Sequence, residues 1–203
     1  ATTLCWRSRR KEVGFSLRGV PTRGGAVRVD DFAAAVDEKT RAVVVSAVQE
    51  INGYRADIAA LRQLTRERGC LLIVDGMQEA GALDVDLGSL EVDAYCAGGH
   101  KWLRNPFGAG ILYLSEELSY RLEPPFYGYF NALEPEEGWG SYLASPERTP
   151  FDPVEMTREA QKFETGATGN CVGALGLAAN IGRVLEVGIT TIEQAIGELT
   201  EYL

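Results

Sequence analysis

Four short apolar segments, separated by helical or polar stretches, constrain the fold of this chain more than any other feature. They span residues 42–46, 70–74, 94–97 and 110–114. Their apolar residues run continuously instead of alternating with polar ones, which is typical of strands covered on both faces of a sheet. We therefore predict an α/β fold with three layers, in which helices flank a mostly parallel sheet.

The segment between the first two predicted strands has the spacing of a helix. Ile58, Leu61 and Leu64 recur at intervals of three residues and would lie on one face. Asp57 can cap the start of this helix and Gly69 can end it. A helix between two strands is the crossover that a parallel sheet requires.

The length of 203 residues predicts one domain, covering 1–203. Glycine, proline, aromatic and acidic residues dominate 124–153, which we interpret as an irregular active-site or interface loop. Two helices are predicted after it, from 170 to about 186 and over 190–203, with Gly188 between them.

Charge and composition exclude several classes of function. The formal net charge is −9, which disfavours nucleic acid as a partner. No apolar run approaches the ~20 residues that span a bilayer, and the start lacks the order of a secretory signal. We therefore expect a cytoplasmic protein without a membrane segment. A metal site is not expected either, because the chain has one histidine and no close cysteine pair. Cys70 and Cys96 are predicted to be buried free thiols.

Polar residues follow two of the predicted strands. Asp75 comes directly after the second strand, Gln78 lies three residues further, and His100 and Lys101 follow the third. The carboxyl ends of parallel strands line the site in open α/β sheets. An enzyme that uses pyridoxal 5'-phosphate needs a carboxylate to keep the cofactor's ring nitrogen protonated and a lysine to carry its aldehyde as a Schiff base. Asp75 and Lys101 are candidates for this pair.

Each candidate also has a simpler interpretation. Asp75 could cap the turn that follows its strand, and Gln78 could be a surface residue. His100 could contact the cofactor phosphate or could be a buried, hydrogen-bonded histidine, and the sequence favours neither.

The neighbours of Lys101 are glycines, a histidine and Trp102, which predicts an apolar environment. Gly98 and Gly99 would allow the backbone to approach a ligand closely. They do not form a phosphate-binding Walker loop, because Trp102 stands where that motif has serine or threonine. Thr168 precedes a predicted helix, where it could bind phosphate or simply cap the helix.

Three motifs in order resemble the class V aminotransferase family, which includes cysteine desulfurases and some transaminases. They are Val-Asp75-Gly-Met-Gln78, Gly-Gly-His100-Lys101-Trp and Lys162-Phe-Glu-Thr-Gly166. The resemblance covers nearly the whole chain. It implies that Lys101 is the Schiff-base lysine, that Asp75 pairs with the ring nitrogen and that Gln78 contacts the ring oxygen. His100 and Thr168 would contact the phosphate, Thr168 through the neighbouring subunit.

The resemblance also implies the large domain of a fold type I enzyme and a homodimer whose site lies near the subunit interface. The substrate would be an amino acid, and the reaction a transamination, an epimerisation or the carbon–sulfur cleavage of a desulfurase or lyase. A non-catalytic fragment or pseudoenzyme that keeps the fold is the alternative. A nucleotide-binding domain is disfavoured because the glycine fingerprint is missing.

The sequence departs from the family in three places. Asn105 replaces a family glycine, and asparagine tolerates the glycine-like backbone best. Ala167 follows Gly166 where the family has threonine, and Thr168 comes one position later. Family chains extend further at both ends, so we expect the central part of the large domain, without the carboxy-terminal small domain and with weak cofactor binding in isolation.

Overall fold

The computed structural model describes residues 2–128, 131–149, 151–164 and 169–202. Its helices and strands alternate in the middle of the chain, as the apolar pattern predicts. In chain order they are α1 (Thr2–Val13), α2 (Val29–Ala35), β1 (Ala42–Ser46), α3 (Ile58–Arg68), β2 (Leu71–Asp75), α4 (Leu87–Leu90), β3 (Ala94–Gly98), β4 (Gly110–Leu114), α5 (Glu116–Arg121), α6 (Gly138–Ala144), α7 (Cys171–Val187) and α8 (Ile189–Tyr202).

The chain divides into two compact units. The first runs up to Ser115 and resumes at Val172, so it contains the sheet, α7 and α8. The second covers Glu116–Cys171 and contains α5, α6 and a short 3-10 helix at Ala160–Phe163. The segment 124–153, expected to be irregular, therefore includes one helix.

The sheet has the order β1-β2-β3-β4. β1, β2 and β3 run parallel, and β4 pairs antiparallel with β3, so that Gly98 lies opposite Gly110. The prediction of a mostly parallel sheet flanked by helices is confirmed. The antiparallel direction of β4 was not predicted, and it follows from a connection of eleven residues that holds no crossover helix.

One face of the sheet forms the core. Val43, Val45, Leu72 and Val74 are buried, while the residues between them in β1 and β2 are half-buried. The buried side chains pack with α3, where Leu61 is almost fully buried. The continuous apolar strands predict burial on both faces of the sheet. The prediction is correct for one face, whereas the other face is only half-buried in β1 and β2.

The helix α3 begins and ends where its sequence predicts. The Asp57 carboxylate accepts a hydrogen bond from the Ala60 backbone N–H at 2.9 Å, which satisfies one of the unpaired donors at the helix start. At the other end Gly69 adopts a left-handed backbone with φ of +64°.

A half-buried ion pair fixes α3 against the sheet. The Arg62 guanidinium lies 2.7 Å from Oδ2 of Asp93, and the same oxygen accepts the Leu72 backbone N–H at 2.7 Å. Because Leu72 is the second residue of β2 and Asp93 directly precedes β3, one carboxylate connects the helix to two strands.

The two carboxy-terminal helices are confirmed, with Gly188 between them at φ of +85°. Glu193 of α8 pairs with Arg55 at 2.9 Å and accepts the Asp84 backbone N–H at 2.8 Å. No single helix in the described ranges is long and apolar enough to cross a bilayer. α7 and α8 reach that length and composition only as a pair, which is bent by 77°.

Replacing the capping residue of α3 tests its contribution to stability. We expect Asp57→Ala to lower the free energy of unfolding by about 1 kcal/mol, because the Ala60 N–H loses its acceptor. Asp57→Asn is the matched control, since asparagine caps equally well. Urea denaturation of both variants measures the difference, and equal losses would show that the cap is not the cause.

Candidate cofactor site

The carboxyl ends of the parallel strands bring the predicted site residues to one edge of the sheet. Asp75 is the last residue of β2, and Lys101 lies three residues beyond the end of β3. Ser46, Asp75 and Cys96 lie side by side in register across β1, β2 and β3. The placement that the sequence predicts for Asp75 and Lys101 is therefore observed.

The Asp75 carboxylate caps the turn after β2. Its Oδ1 accepts the Met77 backbone N–H at 3.0 Å, and Oδ2 lies 3.4 Å from the Ser46 hydroxyl, which donates to it. The simpler interpretation of Asp75 is thus present in the structure. It is compatible with a cofactor contact, because an ionised carboxylate offers about four acceptor positions.

Tyr95 and Gly76 fix the position of this turn. A Cβ added to Gly76 would lie 1.9 Å from Cζ of Tyr95, so only glycine fits beneath the ring. The Gly76 N–H donates to the Cys96 carbonyl at 2.9 Å, and the Tyr95 hydroxyl reaches the Gly76 carbonyl at 3.4 Å. The turn that carries Asp75 and Gln78 therefore depends on a close approach to β3.

Gln78 contacts the residue next to the candidate lysine. The Trp102 indole N–H donates to Oε1 of Gln78 at 3.2 Å. This bond joins the turn after β2 directly to the loop after β3. Since the indole occupies the amide oxygen, Nε2 is the atom of Gln78 that can donate to a ligand oxygen.

Lys101 is partly exposed and lies beside a carboxylate. Its side chain is 27% exposed, and Nζ is 3.1 Å from Oε1 of Glu50. The expected apolar environment is therefore wrong. Glu50 was not predicted as a site residue. Its position in the sequence could have indicated it, because Glu50 follows β1, and the loop after β1 starts from the same edge of the sheet as Asp75.

His100 is exposed, and its ring stacks on Phe107 with centroids 4.8 Å apart. The interpretation as a buried, hydrogen-bonded histidine is therefore wrong, and a phosphate contact stays a prediction. Gly98 leaves room for this ring, because an added Cβ would lie 2.9 Å from both His100 and Met77. A larger residue at position 98 would therefore displace the ends of these two side chains.

The loop after Lys101 turns at a residue that the sequence did not indicate. Arg104 has the left-handed backbone, with φ of +51°, while Asn105 is not among the described positive-φ residues. Asn105 is instead buried, and its N–H donates to the Gly99 carbonyl at 2.8 Å. The expected glycine-like role of Asn105 is therefore wrong.

The cysteines behave differently from one another. Cys70 is buried, as predicted, and burial raises the pKa of its thiol. Cys96 is exposed, so the prediction of a buried thiol is wrong for it. Cys96 is the middle residue of β3 and pairs with Asp75, and loss of surrounding water and then the Asp75 charge raise the pKa of its thiol. Thr168 lies outside the described residues.

A buried carboxylic acid supports the turn, and the sequence did not reveal it. Glu79 is only 4% exposed and interacts with the Tyr95 hydroxyl. Burial raises the pKa of Glu79, although the Arg55 charge and the Tyr95 hydroxyl act in the opposite direction. Burial and the adjacent Glu79 also raise the pKa of Tyr95.

The side chains at this edge match the chemistry of pyridoxal 5'-phosphate. A carboxylate suits the protonated ring nitrogen, an amide nitrogen suits the ring oxygen, a lysine amine suits the aldehyde, and an exposed imidazole suits the phosphate. Asp75, Gln78, Lys101 and His100 supply one group each within two adjacent loops. Among the residues that the structure describes, no cluster of metal-binding side chains occurs.

Comparison with known proteins gives a consistent result. The sequence profile of the family described as aminotransferase class-V matches residues 1–203. A cysteine desulfurase from Klebsiella pneumoniae (strain 342) is 31% identical over 203 residues, which are all of this chain and 46% of that protein. The chain thus spans about half the length of this curated relative.

Solved structures show the same similarity. The apo structure of a cysteine desulfurase from Thermococcus onnurineus NA1 has a TM-score of 0.81 at 25% identity, and the match covers 99% of this chain and 46% of that one. A C-DES mutant with glycine covalently linked to the PLP cofactor has a TM-score of 0.74 at 26% identity, over 86% of this chain and 43% of that one.

Substitution of Gly76 tests the packing beneath the turn. We expect Gly76→Ala to lower the free energy of unfolding by about 1–3 kcal/mol, because its Cβ would overlap the Tyr95 ring. Gly182→Ala is the control, since a Cβ at this position of α7 meets nothing within 4 Å. Denaturant titration should show no loss for the control, and an unaffected Gly76→Ala would contradict the packing argument.

The buried Glu79 carboxyl predicts a specific pH dependence. Its raised pKa means that the protonated form favours folding, so stability is lost as the pH rises from the usual glutamate value of 4.5 through the raised pKa. We expect Glu79→Gln, which cannot ionise, to gain stability relative to the wild type over this range. Denaturation of both proteins from pH 4 to pH 8 measures the difference between their free energies of unfolding. Glu67→Gln, which changes an exposed glutamate, is the control. A constant difference would contradict the prediction.

Proposed function

This chain belongs to the class V aminotransferase family, and we propose that it forms the cofactor-binding core of a pyridoxal-phosphate enzyme that acts on an amino acid. The observation that carries the proposal is the convergence of Asp75, Gln78 and Lys101 at one edge of the sheet. A non-catalytic relative would have no physical need to keep these three side chains together.

The chain's own residues have distinct roles in this proposal. When bound, the cofactor supplies an aldehyde that accepts an amine and a ring that withdraws electrons. The Lys101 amine would hold the cofactor through its aldehyde and would move a proton at the substrate's α-carbon. Asp75 holds a proton on the ring nitrogen, Gln78 donates to the ring oxygen and His100 contacts the phosphate.

Carbon–sulfur cleavage is the reaction that we favour within the family. The relatives that match the whole chain are named cysteine desulfurases, and a C-S lyase is among the structural neighbours. We therefore propose a sulfur-containing amino acid as substrate, with transamination as the alternative reaction. Because the chain spans about half of these relatives, the proposal concerns the protein of which this core is a part.

We also propose a homodimer in which Thr168 contacts the cofactor phosphate of the neighbouring subunit. The last two helices expose apolar side chains, which supports the proposal that a second subunit covers this surface. Among them are Val172, Leu175 and Leu185 of α7 and Leu199 of α8. A cytoplasmic location is proposed as well, supported by the acidic charge and by four cysteines that form no disulfide with one another.

Cofactor attachment is the first prediction to test. Addition of pyridoxal phosphate to the protein should produce a visible absorption band, and borohydride reduction followed by peptide mapping should locate the label on Lys101. Lys101→Ala should lose both signals, whereas Lys39→Ala, which removes an exposed lysine, should keep them. A label on another lysine, or no band in the folded full-length protein that contains this core, would contradict the proposal.

The reaction class is tested with the loaded protein. Cysteine should release sulfide in the presence of a thiol reductant, and the release should fall by about 100-fold or more in Asp75→Ala, because the ring nitrogen loses its partner. Amino-group transfer to a 2-oxo acid without sulfide release would favour transamination instead.

A further inference from the structure

Glu50 is the ion-pair partner of the candidate Schiff-base lysine. Its Oε1 lies 3.1 Å from Nζ of Lys101, and its side chain is 68% exposed while that of Lys101 is 27% exposed. The two residues come from different loops, since Glu50 follows β1 and Lys101 follows β3. The pair therefore lies across the carboxyl edge of β2, where Asp75 is located.

The loop that carries Glu50 is held by backbone hydrogen bonds on both sides. The Ala47 N–H donates to the Asp75 carbonyl at 2.9 Å, so the loop starts from the end of β2. The Gln49 N–H donates to the Tyr54 carbonyl, and the Gly53 N–H donates to the Gln49 carbonyl, each at 2.9 Å. Glu50 is thus the first residue of a closed turn with a defined direction.

Side chains of the same loop attach it to the preceding segment. The Asn52 amide donates to the Gly25 carbonyl at 2.8 Å, and the Tyr54 hydroxyl donates to the Val27 carbonyl at 3.2 Å. These contacts fix the backbone on either side of Glu50. A carboxylate on a fixed loop is suited to hold a flexible lysine in one place, because the lysine loses the entropy and the loop does not.

We propose that Glu50 is a positioning residue for Lys101: its carboxylate pairs with the ammonium and holds it at the site edge until the amine reacts. The proposal rests on the proposed function only in naming Lys101 as the reacting amine. Before Lys101 reacts, its ammonium leaves the pair and gives one proton to water; the freed lone pair forms a bond to an aldehyde carbon, and the aldehyde oxygen leaves as water with the two hydrogens that remain on the amine. When the linkage is broken again, the amine takes a proton from water and the ammonium pairs with Glu50 as before.

The experiment uses formaldehyde and cyanoborohydride on the protein without cofactor. Formaldehyde forms an imine with a neutral amine, and cyanoborohydride reduces it to a methylamine that mass spectrometry assigns to each lysine. The rate at Lys101 is divided by the rate at exposed Lys39 in the same molecule. An ammonium held by a carboxylate must leave the pair before it can react. The ratio of the Lys101 rate to the Lys39 rate should therefore be lower in the wild type than in variants that lack the Glu50 carboxylate.

We expect Glu50→Gln to raise this ratio by about two- to fivefold at neutral pH, the range that corresponds to a solvent-exposed ion pair. Glu50→Ala should raise it at least as much. Glu91→Gln is the matched control, because Glu91 forms an ion pair with Arg66 and precedes β3, at the opposite edge of the sheet. It should leave the ratio unchanged.

An unchanged ratio in both Glu50 variants, with their circular dichroism equal to that of the wild type, would overturn the proposal. So would an equal increase in Glu91→Gln. The measurement is independent of cofactor binding. Failure of the wild type to bind pyridoxal phosphate would therefore contradict the proposed function without affecting the pairing. Cofactor binding by the wild type, together with an unchanged labelling ratio in the Glu50 variants, would contradict the pairing alone.

Discussion

The parallel register of β1, β2 and β3 is the constraint on which the rest of the site depends. It aligns Ser46 and Asp75, the last residues of β1 and β2, with Cys96 of β3, so that the loops after all three strands leave from the same side of the sheet. Chemical groups that lie far apart in the sequence, such as Glu50 and Lys101, are brought within contact distance there. The core on the buried face maintains this register, because a shift by one residue would expose Leu72 and Val74.

The site is supported by residues that would take no part in the chemistry. The Tyr95 ring closes the space beneath Gly76, and Glu79 is buried beside it as an acid with a raised pKa. Burying such a group costs stability. The buried Glu79 contacts Tyr95 and so helps to fix the turn that carries Asp75. This arrangement agrees with the general observation that strained or costly groups concentrate near functional sites.

Sequence periodicity predicted the elements well and the contacts poorly. The bounds of β1 and β4 agree with the prediction, and α3 has the predicted caps, because strand runs and capping residues act locally. The exposure of His100 and the Glu50 partner of Lys101 could not be predicted, because each depends on how separate loops meet. The direction of β4 depends likewise on a connection whose sequence carries no periodic signal. Local patterns thus locate the site, whereas its electrostatics require the fold.

The hydrogen bond between Trp102 and Gln78 gives the molecule an intrinsic optical reporter. Trp102 is one of three tryptophans in the chain, and its indole N–H donates to a candidate ligand-binding side chain. A molecule that engages the Gln78 amide alters the surroundings of that indole directly. Tryptophan emission therefore follows occupancy of this edge of the sheet, whether or not any chemical reaction takes place.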